Sequence, residues 1–96
     1  MTDTQIINHL VTTNDPTYNL LKAAEELQEL ALVLTQLALK PQKVKAQEVI
    51  DEIGDVKIRM RILENLFSRR RVKKRVELKL TKFKGYVQEN KYVGKI

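Results

Sequence analysis

Apolar residues recur at helical spacing through most of this chain. Val49, Ile53, Val56, Met60, Leu63 and Phe67 are separated by 4, 3, 4, 3 and 4 positions, the repeat of a helix that buries one stripe in a bundle. This stripe predicts a long helix over 42–67. Val72, Val76, Leu80, Phe83 and Val87 follow at intervals of 4, 4, 3 and 4 and predict a further helix, with Ser68 as its N-cap, that frays near Gly85 or Asn90. Upstream, Asn14-Asp15-Pro16 reads as a helix start, because Asp15 suits the cap and Pro16 the first helical position. Lys40-Pro41 is the clearest break, so another long helix is expected over 16–39. Ile6, Ile7, Leu10 and Val11 fit one or two helical turns in an N-terminal arm, 1–14, docked on the body. Residues 91–96 read as a loose tail. No strand-like alternation, internal repeat or low-complexity linker interrupts the pattern. The expected fold is one all-α domain over 1–96: an antiparallel helical hairpin plus a third helix.

The first long helix changes character halfway. Between Leu30 and Leu39, eight of ten residues are apolar. A helix apolar nearly all round is covered on most sides, and three helices of one short chain cannot supply that cover. The pattern therefore predicts that the bundle is completed by homo-oligomerisation, as a homodimer or homotetramer.

Composition removes several kinds of chemistry. The 96 residues include no cysteine and one histidine, His9. Disulfides, thiolate metal sites and cysteine nucleophiles are excluded, and a histidine-rich zinc site has no ligands to draw on. No apolar run approaches the ~20 residues of a membrane span. The opening residues show no basic region ahead of an apolar stretch, which points to a cytoplasmic protein. Charge is split unevenly. Residues 1–67 carry 7 Lys/Arg and 10 Asp/Glu, whereas residues 68–96 carry 11 Lys/Arg and 2 Asp/Glu. The overall +6 is thus the sum of an acidic helical body and a strongly basic last helix, which suits a cationic wall beside an anionic substrate or a nucleic-acid surface.

Two acidic pairs stand out in the body. Glu26 and Glu29 lie 15 and 12 residues before Pro41, and Glu52 and Asp55 lie 11 and 14 residues after it. If the helices fold back at Pro41, both pairs reach the same height, roughly 17–22 Å from the turn at about 1.5 Å of rise per residue. Each pair has i, i+3 spacing and so shares a helix face. Four facing carboxylates repel one another unless cations lie between them, and hard oxygen-seeking ions, Mg²⁺ or Mn²⁺, fit best. Gly54 falls between the second pair. A mid-helix glycine costs about 0.5–1 kcal/mol relative to alanine, which suggests a close approach there by the neighbouring helix or a ligand. Set against this reading is a plain solvated helix face, on which Glu-x-x-Glu is common.

Glu25-Glu26-x-x-Glu29-Leu30 on one helix and Glu52-x-Gly54-Asp55-Val56 on the next resemble the MazG-like all-alpha nucleoside triphosphate pyrophosphohydrolases. The family's Glu-x-x-Glu, spacer, Glu-x-x-Asp signature falls on Glu26, Glu29, Glu52 and Asp55, with a 22-residue spacer over 30–51. The resemblance covers 17–67, and more loosely 72–84, where Lys79-Leu80-Thr81-Lys82 is similar to the basic segment of short, phage-type members. It implies that the four carboxylates bind Mg²⁺, with Mn²⁺ as a substitute. The substrate is then a ribo- or deoxyribonucleoside triphosphate, hydrolysed to monophosphate and pyrophosphate. Glu26, Glu52 or the neighbouring Glu25 would orient or deprotonate the attacking water, and Lys22, Lys79 and Lys82 would neutralise phosphate charge. The dense run Arg69-Arg70-Arg71 and Lys73-Lys74-Arg75 departs from the short members. With no tryptophan in the chain, base stacking would fall to Tyr18, Phe83, Tyr86 or Tyr92.

A reading from a different class stays open beside this one. A small basic helical protein binds nucleic acid or a protein partner, and the acidic pairs only decorate its surface. Aromatics interleaved with lysines in Lys82-Phe83-Lys84-Gly85-Tyr86 are the residue types of single-strand stacking surfaces.

Overall fold

A computed structural model describes residues 1–89 as four α-helices, with no strand among them. In chain order these are α1 (Asp3–Thr13), α2 (Pro16–Leu39), α3 (Ala46–Phe67) and α4 (Arg69–Gln88), with a short 3-10 turn at Pro41–Lys43. The expected tail over 91–96 lies outside the described residues, as do Asn90 and Tyr92.

The N-terminal arm is a longer helix than the one or two turns its apolar residues suggested. Thr2 and Gln5 form a reciprocal cap: the Gln5 amide donates to Thr2 Oγ1 at 3.1 Å, and the Thr2 amide donates to Gln5 Oε1 at 2.8 Å. This satisfies two amides that a helix start otherwise leaves unpaired and fixes the first turn of α1. Ile7 is the buried residue of α1. α2 starts where the sequence indicated, with the Thr17 amide donating to the Asp15 carboxylate at 2.7 Å and Pro16 in the first turn.

α3 begins at Ala46, four residues later than the expected start at Gln42. The reason is local. Pro41 initiates a 3-10 turn rather than an α-helix, and Val44 then extends with φ −124° and ψ 128°. Lys45 takes the cap position, where its amide donates to Glu48 Oε2 at 3.2 Å. Ser68, extended at φ −177°, separates α3 from α4 and accepts from the Arg71 amide at 3.2 Å, as a cap should.

The largest contact in the molecule joins α2 to α3, with α1 laid against α3. Half-buried or buried residues of α2 recur at Asn19, Ala23, Glu26, Leu30, Val33 and Leu37, and those of α3 at Val49, Glu52, Val56, Arg59, Leu63 and Leu66. Both series follow alternating steps of four and three, the periodicity of helices packed nearly side by side. The covered side of α3 is therefore rotated away from the stripe read in the sequence. Ile62, outside that stripe, is wholly buried, while Ile53, Met60 and Phe67, inside it, are exposed. The rotation follows from α1 occupying one flank of α3 and leaves the far edge of the stripe without cover in a single chain.

The core is small. Ile7, Ala23, Val44, Val56 and Ile62 are buried, together with Asn19, whose Nδ2 donates to the Leu10 carbonyl at 3.3 Å and ties α2 to the end of α1. α4 has no buried residue, and among the described residues its one substantial contact is with α3. Leu32, Leu34 and Leu39 on α2 and Val76, Leu80 and Val87 on α4 are exposed. The radius of gyration is 16.6 Å, against about 13 Å for a compact domain of this length. Among the described residues no helix is long and apolar enough to cross a membrane.

Candidate metal centre

Three of the four carboxylates singled out in the sequence come together between α2 and α3. Glu26, Glu52 and Asp55 each offer an oxygen, and these oxygens lie within 4.8 Å of one another. Glu26 and Glu52 occupy positions in the two facing seams where the periodicity calls for apolar side chains, and both are half-buried. Asp55, three residues after Glu52, stands at the exposed edge. Glu29 is exposed and outside the cluster of three, but it is close enough to Glu26 to act on its charge.

The electrostatics of the cluster are unfavourable as it stands. Burial raises the Glu26 carboxyl above its ordinary range, and the negative charges of Glu29 and Asp55 raise it further. Lys22 is the cation whose field opposes this. One oxygen of Glu26 and one of Glu52 are shielded from solvent and accept no hydrogen bond. A shielded carboxylate oxygen without a donor costs stability, and here two such groups face one another.

The donor set fits a small hard cation. Mg²⁺ takes oxygen ligands at about 2.0–2.1 Å, uses one or two carboxylates, and keeps room for water and substrate phosphate. Oxygens on opposite sides of one such ion lie about 4.2 Å apart, comparable with the 4.8 Å within which the cluster's oxygens all fall. Glu26, Glu52 and Asp55 are the residues that could hold the ion, with Glu29 within a turn.

The other predicted residues fall in two places. Glu25 and Lys22 are bound to each other, with Lys22 Nζ 3.3 Å from Glu25 Oε2, and this bond raises the lysine pKa above its usual value. Lys79 and Lys82 lie on α4, where they sit over the rings of Phe83 and Tyr86 at 5.9 and 5.8 Å. α4 makes no extensive contact with α2, so one chain does not carry these two lysines to the cluster. Gly54 also departs from expectation: a Cβ built on it meets nothing within 4 Å, so α2 makes no close approach there. His9 is exposed on α1.

The sequence carries a further signal that separates Glu26 from Glu29. Ala23, Leu30, Val33 and Leu37 form an apolar seam with a gap at the position filled by Glu26. A charge in such a gap marks the inward-facing member of the first pair and separates it from Glu29. Compared with known proteins, the chain matches no family, no curated protein and no solved structure.

Proposed function

We propose that the chain is a Mg²⁺-dependent hydrolase that cleaves nucleoside triphosphates to the monophosphate and pyrophosphate. The observation that supports this most directly is the pair of shielded, unpartnered oxygens of Glu26 and Glu52 at seam positions, with Asp55 beside them. Local rules of folding are broken most often where a site requires it, and a divalent cation resolves both the repulsion and the missing hydrogen bonds.

In this reading Glu26, Glu52 and Asp55 hold Mg²⁺, or Mn²⁺ in its place, and Glu29 completes the acidic set. A bound ion polarises phosphate oxygens and makes water a better nucleophile near neutral pH. Glu25, or one of the ligands Glu26 and Glu52, orients that water and accepts its proton. The Lys22–Glu25 ion pair gives this arrangement a use: when Lys22 turns to a substrate phosphate, Glu25 is released as a base. Within one chain α4 lies apart from the cluster, so Lys79 and Lys82 act from the α4 of a neighbouring copy.

That neighbour belongs to the same proposal. α2 and α3 form an antiparallel hairpin, and a second copy covers Leu32, Leu34, Ile53, Met60 and Phe67 as a homodimer or homotetramer. The open shape and the exposure of these residues support it.

Pyrophosphate release from a panel of ribo- and deoxyribonucleoside triphosphates, with Mg²⁺, tests the activity. Release by the native chain and its loss in Glu52→Gln are expected. Absence of release from every nucleotide would overturn the hydrolase reading, while the oligomer would still be decided by sedimentation.

A further inference from the structure

A triphosphate site takes up only Lys79 and Lys82 from the run of cations on α4. Across Arg69–Gln88 there are nine Lys/Arg and one Glu. Among the described residues the one ion pair is Lys22–Glu25, so no α4 cation pairs with a carboxylate of those residues. The helix is also charged against its own dipole. Arg69, Arg70 and Arg71 fill its first turn, the positive end, where cations are unfavourable. Arg69/Lys73, Arg70/Lys74, Arg71/Arg75 and Arg75/Lys79 are like-charged pairs at i, i+4, each of which weakens a helix.

The cations are also ordered. At 100° per residue, Arg71, Arg75, Lys79 and Lys82 fall on one strip of the helix, and Tyr86 continues it one turn further. The four cations flank the apolar seam of Val72, Val76, Leu80, Phe83 and Val87 without overlapping it and are exposed, so covering the seam leaves them accessible. Arg71 and Arg75 line a shallow recess with Phe67, Ser68 and Val72. Lys82 lies over the Tyr86 ring at 5.8 Å. A file of cations ending on an aromatic face matches a strand of nucleic acid, in which phosphates run beside unstacked bases.

We propose that the strip Arg71, Arg75, Lys79, Lys82 and Tyr86 on α4 binds single-stranded nucleic acid, with the cations along the phosphates and the tyrosine ring under a base. The affinity depends steeply on salt, because each neutralised phosphate releases condensed counterions. Stacking on Tyr86 makes a single strand preferred to a duplex, whose bases are already stacked.

Fluorescence anisotropy of a labelled 20-nucleotide single strand of mixed sequence, titrated with the full chain in Mg²⁺-free buffer at several salt concentrations, tests this. Arg71→Gln/Arg75→Gln should reduce the steepness of the log–log salt plot by about 1.4, at roughly 0.7 per phosphate contact on single strands. Arg70→Gln/Lys74→Gln removes the same charge from the neighbouring face and should leave the slope nearly unchanged. Tyr86→Leu should weaken single-strand binding by about tenfold. Equal effects of the two double variants would overturn the strip in favour of diffuse charge. Tighter binding of a 20-base-pair duplex would overturn the preference for a single strand. Binding to vesicles of phosphatidylcholine with phosphatidylserine, with none to the oligonucleotide, would make α4 a membrane-surface helix instead. No binding to either at low salt would also end the proposal.

Discussion

Glu26 of α2 and Asp55 of α3 each place a carboxylate oxygen within 4.8 Å of the other, although 28 intervening residues separate them in the chain. The charge of Asp55 helps to raise the Glu26 carboxyl above its ordinary value, after the larger effect of burial. Asp55 therefore disfavours the ionised form of Glu26, and the two oxygens offer a shared place for a cation between them.

The raised Glu26 carboxyl fixes the sign of a pH effect. Without metal, the folded chain holds a proton on Glu26 that the unfolded chain releases near its ordinary value of 4.5. This contribution to stability is complete below that value and is lost as pH rises through the higher folded value. Urea unfolding of the metal-free protein between pH 4 and 7 should show stability falling over that window. Glu26→Gln should flatten the fall and be the more stable of the two at pH 7.

Divalent metal should reverse the penalty. At a Mg²⁺ concentration 100 times its dissociation constant, binding to the folded state alone adds about 2.7 kcal/mol, or a rise in Tm of about 10 °C or more for a chain of this size. Chelation should undo the rise, and Asp55→Asn or Glu52→Gln should abolish most of it. Thermal melts with and without Mg²⁺ measure this directly.

Gly54 separates a structural role from a functional one. Since a Cβ there meets nothing within 4 Å, Gly54→Ala should stabilise the metal-free chain by about 0.5–1 kcal/mol through helix propensity alone. If substrate or a second copy approaches this backbone, the same variant should lose pyrophosphate release or oligomer. Urea melts paired with the activity assay read both effects.

Leu34, 45% exposed in the single chain, tests the second copy. Substitution at an ordinary exposed position changes stability by no more than about 0.5 kcal/mol. Leu34→Glu should instead shift the chain to monomer in sedimentation and lower its Tm by several degrees. A native Tm that rises with protein concentration is the accompanying expectation.

The helices were largely legible in the sequence because their signals are local. Asp15-Pro16 set the start of α2, and Ser68 set that of α4. α1 exceeds the one or two turns expected because the Thr2/Gln5 cap fixes its first turn, and α3 starts after Gln42 because the break at Pro41 extends into a 3-10 turn over Pro41–Lys43. The acidic positions were legible from i, i+3 spacing, which places residues on a face without saying which way the face turns. Which member of each pair points inward depends on packing. α1 packs against α3, and the covered side of α3 includes Glu52 and Ile62 while Ile53 and Met60 stay exposed.

The order of packing along the chain also bears on how fast the protein forms. Apart from α1 against α3, each substantial contact joins an element to its neighbour in sequence, the kind of topology that folds in microseconds to milliseconds. In the proposed oligomer the exposed faces of α2 and α4 would close only when two chains meet, which is a bimolecular event. The half-time for regaining full native structure after dilution from urea should therefore shorten as protein concentration increases, with encounter rather than folding as the slow step.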